Sequence, residues 1–333
     1  MTETRRSSTG RISRSGLLLR NGNSKWDHKA KTERREDMKV GFIGLGIMGR
    51  PLAKHLLNAG VDLMVSDVNP VPVQELVSMG AGTGSYAEIG EQCDVVITIL
   101  PTGGIVQSVL FGEGGIASTL KPGSLVIDHS SVTPVESREC YAKLKEKGVD
   151  FVDAPVSGGE PGAIAGTLAI MAGGDEEAFK RAEEVIKPYS SSILRIGPVG
   201  SGSVAKLANQ IIVNNNIAIV SEALTFAVKA GADPEKVYLA IRGGLAGSAV
   251  LDAKAPMMYN RNFVPGGPIR INHKDITNVV KTAHAIDAPI PYTAQLYEIM
   301  QSLKIHGLMG EDHSAIVKYF EAMGDVKVEK KGE

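Results

Sequence analysis

Cysteine is scarce in this chain of 333 residues, since only Cys93 and Cys140 occur. Neither has a CxxC or metal-ligand spacing, so the sequence favours neither disulfides nor a metal site, and we expect a reducing, cytoplasmic environment. An excess of one charge is also lacking, because 36 Lys and Arg stand against 37 Asp and Glu. That balance gives no electrostatic reason to expect nucleic acid or an anionic membrane as a partner. No uninterrupted apolar run approaches the roughly 18 residues that span a bilayer.

Apolar side chains are sparse in residues 1–37, where basic residues alternate with Ser, Thr, Gly and Asn. Such a segment cannot bury enough apolar surface to offset its ordering entropy, so we predict a disordered basic extension. The three leucines at 17–19 are too few for the apolar region of a secretory signal. A transit peptide or a nucleic-acid-binding arm are alternatives that rest on its charge, and acidic residues in the segment weaken the former.

Short apolar segments alternate with helical patterns from Lys39 to about Gly200. The predicted strands are 40–43, 63–65, 95–100, 124–128, 150–152, 167–172 and 192–196. The predicted helices of this part are 48–58, 73–78 and 134–147. This alternation predicts an α/β fold with an N-terminal Rossmann-type, doubly wound, NAD(P)-binding domain over residues 38–199.

Helical patterns alone remain beyond Gly200, at 203–230, 234–241, 276–285, 291–306 and 314–323. They predict an all-helical C-terminal domain over residues 200–333, whose apolar surface suits self-association. The segment 203–230 is apolar nearly all round, which predicts a long buried helix joining the two domains.

A glycine-rich loop, Gly44-Leu45-Gly46-Ile47-Met48-Gly49, follows the first strand and opens a helix. This context gives the GxGxxG pattern its physical meaning. The first glycine permits the tight turn, the second lets the backbone approach a pyrophosphate, and the third lets helix and strand pack closely. The helix N-terminus offers free N–H groups to the phosphates. We therefore predict a dinucleotide site.

Asp67 ends the second strand about 20 residues further on, where an acidic residue binds the ribose hydroxyls in such sites. Its carboxylate would repel the 2′-phosphate of NADP, and Val68 to Val71 include no Lys or Arg. The sequence therefore favours NAD over NADP. The alternative interpretation is that Asp67 only caps the turn at Asn69-Pro70.

Two further loops follow strands and are expected to line the cofactor crevice, because ligands of open α/β sheets bind at the carboxyl ends of strands. One contains Leu100-Pro101, and the other ends at Ser131. Ordinary turn chemistry explains either loop equally well. The segment Ser157-Gly158-Gly159 follows a later strand, and its successive N–H groups can bind a carboxylate. A flexible surface turn is the alternative for this segment.

Lys206 lies near the start of the long apolar helix, with Asn209 and Gln210 on the same face. A lysine among apolar residues is seldom buried without a partner or a task. Burial would lower its pKa and suit it to proton exchange near neutral pH. A lysine whose head reaches solvent from the helix end is an equally good interpretation.

Lys274-Asp275 is placed by the pattern before a later helix and is typical of a solvated charge pair. His273, His284 and His313 show no metal-ligand spacing, so solvated or packed histidines are expected.

Four motifs in this order make the chain from Met38 onward similar to the β-hydroxyacid dehydrogenase (3-hydroxyisobutyrate dehydrogenase-like) family. They are Gly41-Phe-Ile-Gly44-Leu-Gly-Ile-Met-Gly49-Arg-Pro51, Asp153-Ala-Pro-Val-Ser157-Gly-Gly159, Gly200-Ser-Gly202-Ser-Val-Ala-Lys206-Leu-Ala-Asn209 and Lys274-Asp275-Ile. The resemblance implies that Lys206 is the general acid/base and that Asn209 orients the substrate or the lysine. It also implies that Ser157, Gly158 and Gly159 hold the substrate carboxylate, and that Ser131 and Lys274 contact the cofactor.

Other segments resemble the members of this family that reduce tartronate semialdehyde (2-hydroxy-3-oxopropionate) to D-glycerate. They are Arg242-Gly-Gly-Leu-Ala-Gly-Ser248, Leu251-Asp-Ala-Lys-Ala-Pro256, Arg261-Asn-Phe263 and Asp312-His-Ser-Ala315. The resemblance implies a small-molecule substrate, a homodimer or homotetramer, and a helical domain (200–333) that serves substrate binding and dimerisation. Activity on 3-hydroxyisobutyrate, succinic semialdehyde or glyoxylate stays open, because apolar differences of this size change binding by only about 1–3 kcal/mol. A non-catalytic dinucleotide sensor would not need Lys206, Asn209 and Ser157 together.

Overall fold

A nine-stranded sheet dominates the first part of the computed structural model, which describes residues 38–331. Its order is β3-β2-β1-β4-β5-β6-β8-β7, and β9 pairs with β8. The strands are β1 (Lys39–Ile43), β2 (Asp62–Ser66), β3 (Gly82–Thr83), β4 (Val95–Thr98), β5 (Leu125–Asp128), β6 (Asp150–Asp153), β7 (Val156–Ser157), β8 (Leu168–Gly173) and β9 (Ser190–Gly197).

The parallel part of this sheet, β1 to β6, has the order 3-2-1-4-5-6 of a doubly wound dinucleotide fold. Strands β4 (VVIT) and β5 (LVID) are buried at every residue, which explains their nearly continuous apolar sequences. Because the chain order reverses between β1 and β4, a crevice opens at the carboxyl ends of these two strands. The predicted Rossmann-type α/β class is therefore confirmed.

Seven helices connect or flank the strands within the described residues. They are α1 (Gly49–Asn58), α2 (Pro70–Ser78), α3 (Tyr86–Gln92), α4 (Gly103–Phe111), α5 (Pro134–Lys145), α6 (Gly159–Ala165) and α7 (Glu176–Ile186). Two apolar clusters, one on each face of the sheet, include Leu52 and Leu56 of α1 and Leu110 of α4.

Helices follow the last strand, and a third apolar cluster lies among them. They are α8 (Ser201–Lys229), α9 (Pro234–Ile241), α10 (Ala249–Tyr259), α11 (Ile269–Ala285), α12 (Pro291–Ile305) and α13 (Val317–Gly324). No strand of two or more residues occurs between 201 and 331, where Pro268 and Asp312 form an isolated bridge. The predicted extension, residues 1–37, lies outside the described residues.

Helix α8 packs against α10, α11, α12 and α13 and against the sheet strand β8. By length and composition alone it could cross a membrane, a property that the core helices of soluble proteins share. The sequence analysis found no such segment because polar residues interrupt the apolar run. The expected burial on all sides is wrong for one face, where Val204, Ile212, Ile219 and Phe226 are exposed.

Several elements differ from the predicted pattern. Helices α3, α4, α6, α7 and α10 were not predicted, and the strand predicted for 95–100 ends at Thr98. Glycine lowers helix propensity, which hid α4 and α6, and Pro256 lies inside α10. Helix α11 begins at Ile269 rather than 276, so Lys274 and Asp275 lie within a helix and not before one.

Candidate active site

Each of the three glycines of the glycine-rich loop is required for a different geometric reason. Gly44 has φ +99°, and an added Cβ would lie 2.3 Å from the Ile99 carbonyl oxygen. An added Cβ at Gly49 would lie 1.9 Å from the Gly44 carbonyl oxygen. An added Cβ at Gly46 would meet no atom within 4 Å. The first and third glycines are thus needed for the turn and the packing, whereas the second opens on free space.

The residues between the glycines complete the start of α1. Leu45 is buried, Ile47 is half-exposed, and Met48 is the N-cap residue. No side chain caps this helix end, and although the Arg50 N–H donates to the Gly46 carbonyl oxygen at 3.1 Å, the helix N-terminus as a whole suits an anionic ligand. Together with the open space at Gly46, this arrangement fits a dinucleotide pyrophosphate.

Asp67 lies beside the glycine loop at the end of β2. Its carboxylate accepts hydrogen bonds from the backbone N–H groups of Leu45 and Asn69. The second bond is the turn-capping contact of the alternative interpretation, and Asn69 itself caps α2 by accepting from the Val71 N–H. Asp67 therefore fixes both the glycine loop and the following turn from the position predicted for ribose binding.

The strand-end loops meet at the other side of the crevice. The Leu100 N–H donates to Ser130 Oγ at 2.8 Å, and Pro101 is exposed. The carboxylate of Asp128 accepts from Thr98 Oγ1 at 2.8 Å, and its burial raises its pKa. These contacts join the ends of β4 and β5 below the crevice.

His129 of the second loop is a packed histidine, for which the sequence analysis made no prediction. Its ring lies 2.8 Å from the Tyr189 hydroxyl, and burial lowers its pKa to about 4, so the ring is neutral at physiological pH. Among residues 38–331 no three His, Cys, Asp or Glu side chains form a group that could hold a metal ion.

The segment Ser157-Gly158-Gly159 joins the end of β7 to α6. Gly158 has φ +138° and Gly159 has φ +62°, so both backbones adopt conformations that side chains disfavour. The Ser157 hydroxyl donates to Asn209 Oδ1 at 3.4 Å, which links this segment to α8. Gly158 and Gly159 are exposed, as the surface-turn alternative expects, and the segment connects β7, which pairs with β8, to α6, which begins at Gly159.

Lys206 lies in the second turn of α8, directed at the same segment. Its Nζ donates to the Val156 carbonyl oxygen at 2.8 Å. Burial lowers the pKa of Lys206, the nearby Lys274 lowers it further, and Asp275 opposes both. The structure therefore places Lys206 and Asn209, which the sequence analysis put on one helix face, next to Ser157, which only the family motifs had joined to them.

A chain of hydrogen bonds runs from Asn209 across to α11. Asn209 Nδ2 donates to Gln210 Oε1 at 2.9 Å, and Gln210 Nε2 donates to Asp275 Oδ2. Asp275 also accepts from Ser131 Oγ at 2.8 Å and pairs with Lys274 Nζ at 2.9 Å. The Lys274 Nζ reaches the Ser131 carbonyl oxygen at 2.7 Å. Residues from the sheet and from two helices thus form one polar cluster.

The prediction of a solvated Lys274–Asp275 pair is wrong, because Asp275 is only 3% exposed. Sequence reasoning did not select Asp275 or Gln210 as site residues. The placement of Gln210 four residues after Lys206 was a usable signal, since such residues share a helix face. Asp275 had no such signal, because the start of α11 was placed seven residues too late.

Family models cover both parts of the chain. Residues 39–197 match the NAD-binding domain of 6-phosphogluconate dehydrogenase. Residues 200–320 match the domain described as NAD-binding of NADP-dependent 3-hydroxyisobutyrate dehydrogenase. The gap between the two matches falls between the end of β9 and the start of α8.

The chain matches individual relatives over nearly the whole of their length. The chain is 42% identical to 2-hydroxy-3-oxopropionate reductase of Escherichia coli (strain K12), over 87% of this chain and 100% of that protein. It is 35% identical to 2-(hydroxymethyl)glutarate dehydrogenase of Eubacterium barkeri, over 88% and 98%. A crystal structure of Mycobacterium tuberculosis 3-hydroxyisobutyrate dehydrogenase with L-serine is similar at a TM-score of 0.78 and 29% identity, over 84% and 98%.

These relatives share an enzyme class and differ in the substrate that their names give. The identity and coverage above establish membership of that class, and the two domain matches establish a nicotinamide dinucleotide as the cofactor. The chain therefore belongs to the 3-hydroxyisobutyrate dehydrogenase-like family of β-hydroxyacid dehydrogenases and is an NAD(P)-dependent oxidoreductase acting on the CH–OH group of hydroxyacids.

Proposed function

We propose that this enzyme reduces tartronate semialdehyde to D-glycerate with NADH, reversibly, and that Lys206 is its general acid and base. One observation carries the proposal. The Lys206 Nζ, with its lowered pKa, lies 2.8 Å from the Val156 carbonyl oxygen, directly before the Ser157-Gly158-Gly159 segment. A proton donor and a carboxylate-binding segment thus adjoin each other beside the cofactor crevice.

The substrate carboxylate is bound, in this proposal, by the Ser157 hydroxyl and the N–H groups of Gly158 and Gly159. The two glycines suit this task because their left-handed backbone conformations turn successive N–H groups to one side. Asn209 holds the Ser157 hydroxyl from α8, on the same helix face as Lys206. The carboxylate is thereby fixed relative to the lysine.

Proton transfer is the task of Lys206. The bound nicotinamide supplies or accepts the hydride. In reduction the Lys206 ammonium gives its proton to the aldehyde oxygen, and in oxidation the neutral amine removes the hydroxyl proton. A lysine with an ordinary pKa would seldom be neutral near physiological pH, and burial makes the base form accessible. Asp275 limits this shift and keeps the acid form available.

The choice of substrate rests on the segments that resemble tartronate semialdehyde reductases, together with the 42% identity to one such enzyme. Activity on 3-hydroxyisobutyrate or another β-hydroxyacid is the alternative, since related enzymes with other substrates lie at 35% identity. The test is NADH oxidation by the purified protein with tartronate, methylmalonate and succinic semialdehydes and glyoxylate, compared by kcat/KM. We expect tartronate semialdehyde to be preferred by at least about tenfold. A preference for another aldehyde would contradict the proposed substrate and leave the proposed chemistry unchanged.

NADH is the proposed cofactor, with NADPH as the weaker alternative. The Asp67 carboxylate stands at the ribose position and would repel a 2′-phosphate. No Lys or Arg follows it within Val68 to Val71. Cytoplasmic action is proposed from Cys93 and Cys140, which are both buried and free.

A homodimer or homotetramer is the proposed assembly. The exposed apolar residues of α8 (Val204, Ile212, Ile219 and Phe226) follow one face of the helix over nearly its full length. Exposed apolar residues along one helix face, here interrupted by the exposed Glu222, are typical of a subunit interface. Light scattering after size-exclusion chromatography tests the assembly, and a monomer at micromolar concentration would contradict it.

A further inference from the structure

Helix α6, which follows the carboxylate-binding segment, is weakly held by apolar packing. It has seven residues, about 10 Å in length, and only Gly162 and Ala163 of it are buried. Ile164 is 62% exposed. So short a helix with so little buried surface depends on a few specific contacts for its position.

One of these contacts comes from the cofactor-binding helix. The Nε2 of His55, in α1, lies 3.1 Å from the carbonyl oxygen of Ala163 and 3.1 Å from that of Ile164. Carbonyl oxygens can only accept, so Nε2 carries the proton and donates to both. His55 thus adds a donor from another element to the carbonyl groups at the end of α6, where the Ala163 oxygen also accepts from the Gly166 N–H at 3.4 Å.

The His55 ring also fits closely against the end of α6. Gly166 terminates this helix with φ +68°, and an added Cβ there would lie 3.0 Å from the ring atom Cε1 of His55. The glycine therefore serves both the left-handed turn and the close approach of the imidazole. This packing fixes the ring over the last turn of α6.

We propose that His55 is a positioning residue that holds the carboxylate-binding segment in register with the cofactor-binding helix. The inference rests on the proposed role of Ser157, Gly158 and Gly159. Helix α1 begins at the glycine-rich loop and α6 begins at Gly159, so the His55 contact joins the two helices whose starts form the two halves of the site. His55 itself touches neither substrate nor cofactor and acts through α6.

Two substitutions separate the hydrogen bond from the space that the ring fills. His55→Leu removes the donor, and His55→Gln keeps an N–H group near the position of Nε2. We expect His55→Leu to raise the KM of the carboxylate substrate about five- to tenfold, because α6 loses its anchor. We expect kcat to change by less than about twofold and NADH affinity to stay the same, since Lys206 and the glycine-rich loop are untouched. His55→Gln restores most of the KM.

His306→Leu is the matched control. This histidine also contacts a carbonyl in the last turn of a helix, that of Ser302 at 2.7 Å, but within its own helix α12. We expect the KM of His306→Leu to equal that of the wild type. An unchanged KM in His55→Leu would overturn the proposal, as would a His55→Gln enzyme as impaired as His55→Leu.

Hydrogen–deuterium exchange tests the anchor independently of activity. The backbone N–H groups of Gly162, Gly166 and Thr167 donate hydrogen bonds to carbonyl oxygens of residues 158–163, in and next to α6. We expect their exchange to become at least about fivefold faster in His55→Leu and to stay near the wild-type rate in His55→Gln and His306→Leu. Unchanged exchange in His55→Leu would overturn the anchor. A wild-type enzyme inactive on every semialdehyde would instead contradict the proposed function and leave the exchange result to decide the role of His55.

Discussion

The sheet and the helices that follow it contribute to the site in different ways. In the sheet part, each site residue lies at or near the carboxyl end of a strand, from the glycine-rich loop to Ser157. In the helical part, Lys206 and Gln210 lie on the side of α8 that faces Asp275 of α11. Gln210 and Asp275 are 65 residues apart in the sequence. Strand-end sites are therefore local in sequence, whereas the polar cluster between helices depends on packing over a long distance along the chain.

We propose that the helical part transfers the proton, and Lys206→Ala tests this proposal with the largest expected effect. We expect kcat to fall by roughly 10²–10⁴-fold, the range for loss of a general acid or base. The affinity for NADH, measured by fluorescence titration, stays unchanged because the glycine-rich loop lies in the sheet part. Lys229→Ala, at the far end of the same helix, is the control and should keep full activity. Loss of NADH binding together with activity in Lys206→Ala would contradict this division.

We propose that the sheet part binds the cofactor, and Gly46→Ala tests this proposal. The added methyl group meets no protein atom within 4 Å, so we expect an unchanged melting temperature. It occupies the space predicted for the pyrophosphate, so we expect NADH affinity to fall by about tenfold or more, which is about 1.4 kcal/mol. Gly310→Ala, in the helical part, also meets no atom within 4 Å and should change neither quantity. Equal NADH affinity in Gly46→Ala and the wild type would count against the predicted cofactor position.

The contact between the two parts is probed by Asp275→Asn. The buried carboxylate accepts from Gln210 and Ser131, and its charge raises the pKa of Lys206. Without that charge the pKa of Lys206 falls further, so the pH midpoint for oxidation of D-glycerate moves to lower pH. We expect a loss of about 1–3 kcal/mol in the free energy of unfolding, measured by denaturant titration. Asp252→Asn, at an exposed pair with Arg242, should leave the midpoint in place, and an equal shift in both variants would refute a specific role of Asp275.

The smallest expected effect is the change of cofactor preference in Asp67→Ala. Removing the carboxylate removes the repulsion of a 2′-phosphate, so the ratio of kcat/KM for NADPH to that for NADH rises by several-fold. NADH use itself also falls, because Asp67 accepts the Leu45 N–H of the glycine-rich loop. An unchanged ratio, with both cofactors impaired alike, would reduce Asp67 to the turn-capping role.

The difference between the sheet part and the helical part also explains how much of the site could be predicted from the sequence. The glycine-rich loop and Asp67 are recognisable because a strand, a turn and a helix occur within a few residues. The Ser157 segment is recognisable from its serine and clustered glycines after a strand, although α6 was not predicted. The long helix α8 was predicted within two residues of its start. The burial of Asp275 could not be predicted, because it depends on how α11 packs on α8. His55 was not considered for the same reason, since its partners Ala163 and Ile164 are more than 100 residues away.

The pH dependence of D-glycerate oxidation tests most directly whether Lys206 is the proton acceptor. Burial lowers the pKa of Lys206, and in the proposed mechanism the neutral amine is the active form in oxidation. The rate is therefore expected to rise with pH to a plateau, with a midpoint below that of an ordinary lysine. The residual rate of Lys206→Ala is expected to lack this rise and to be partly restored by added methylamine. The same rise in the residual rate of Lys206→Ala, or a Lys206→Ala enzyme with near wild-type kcat, would contradict the account.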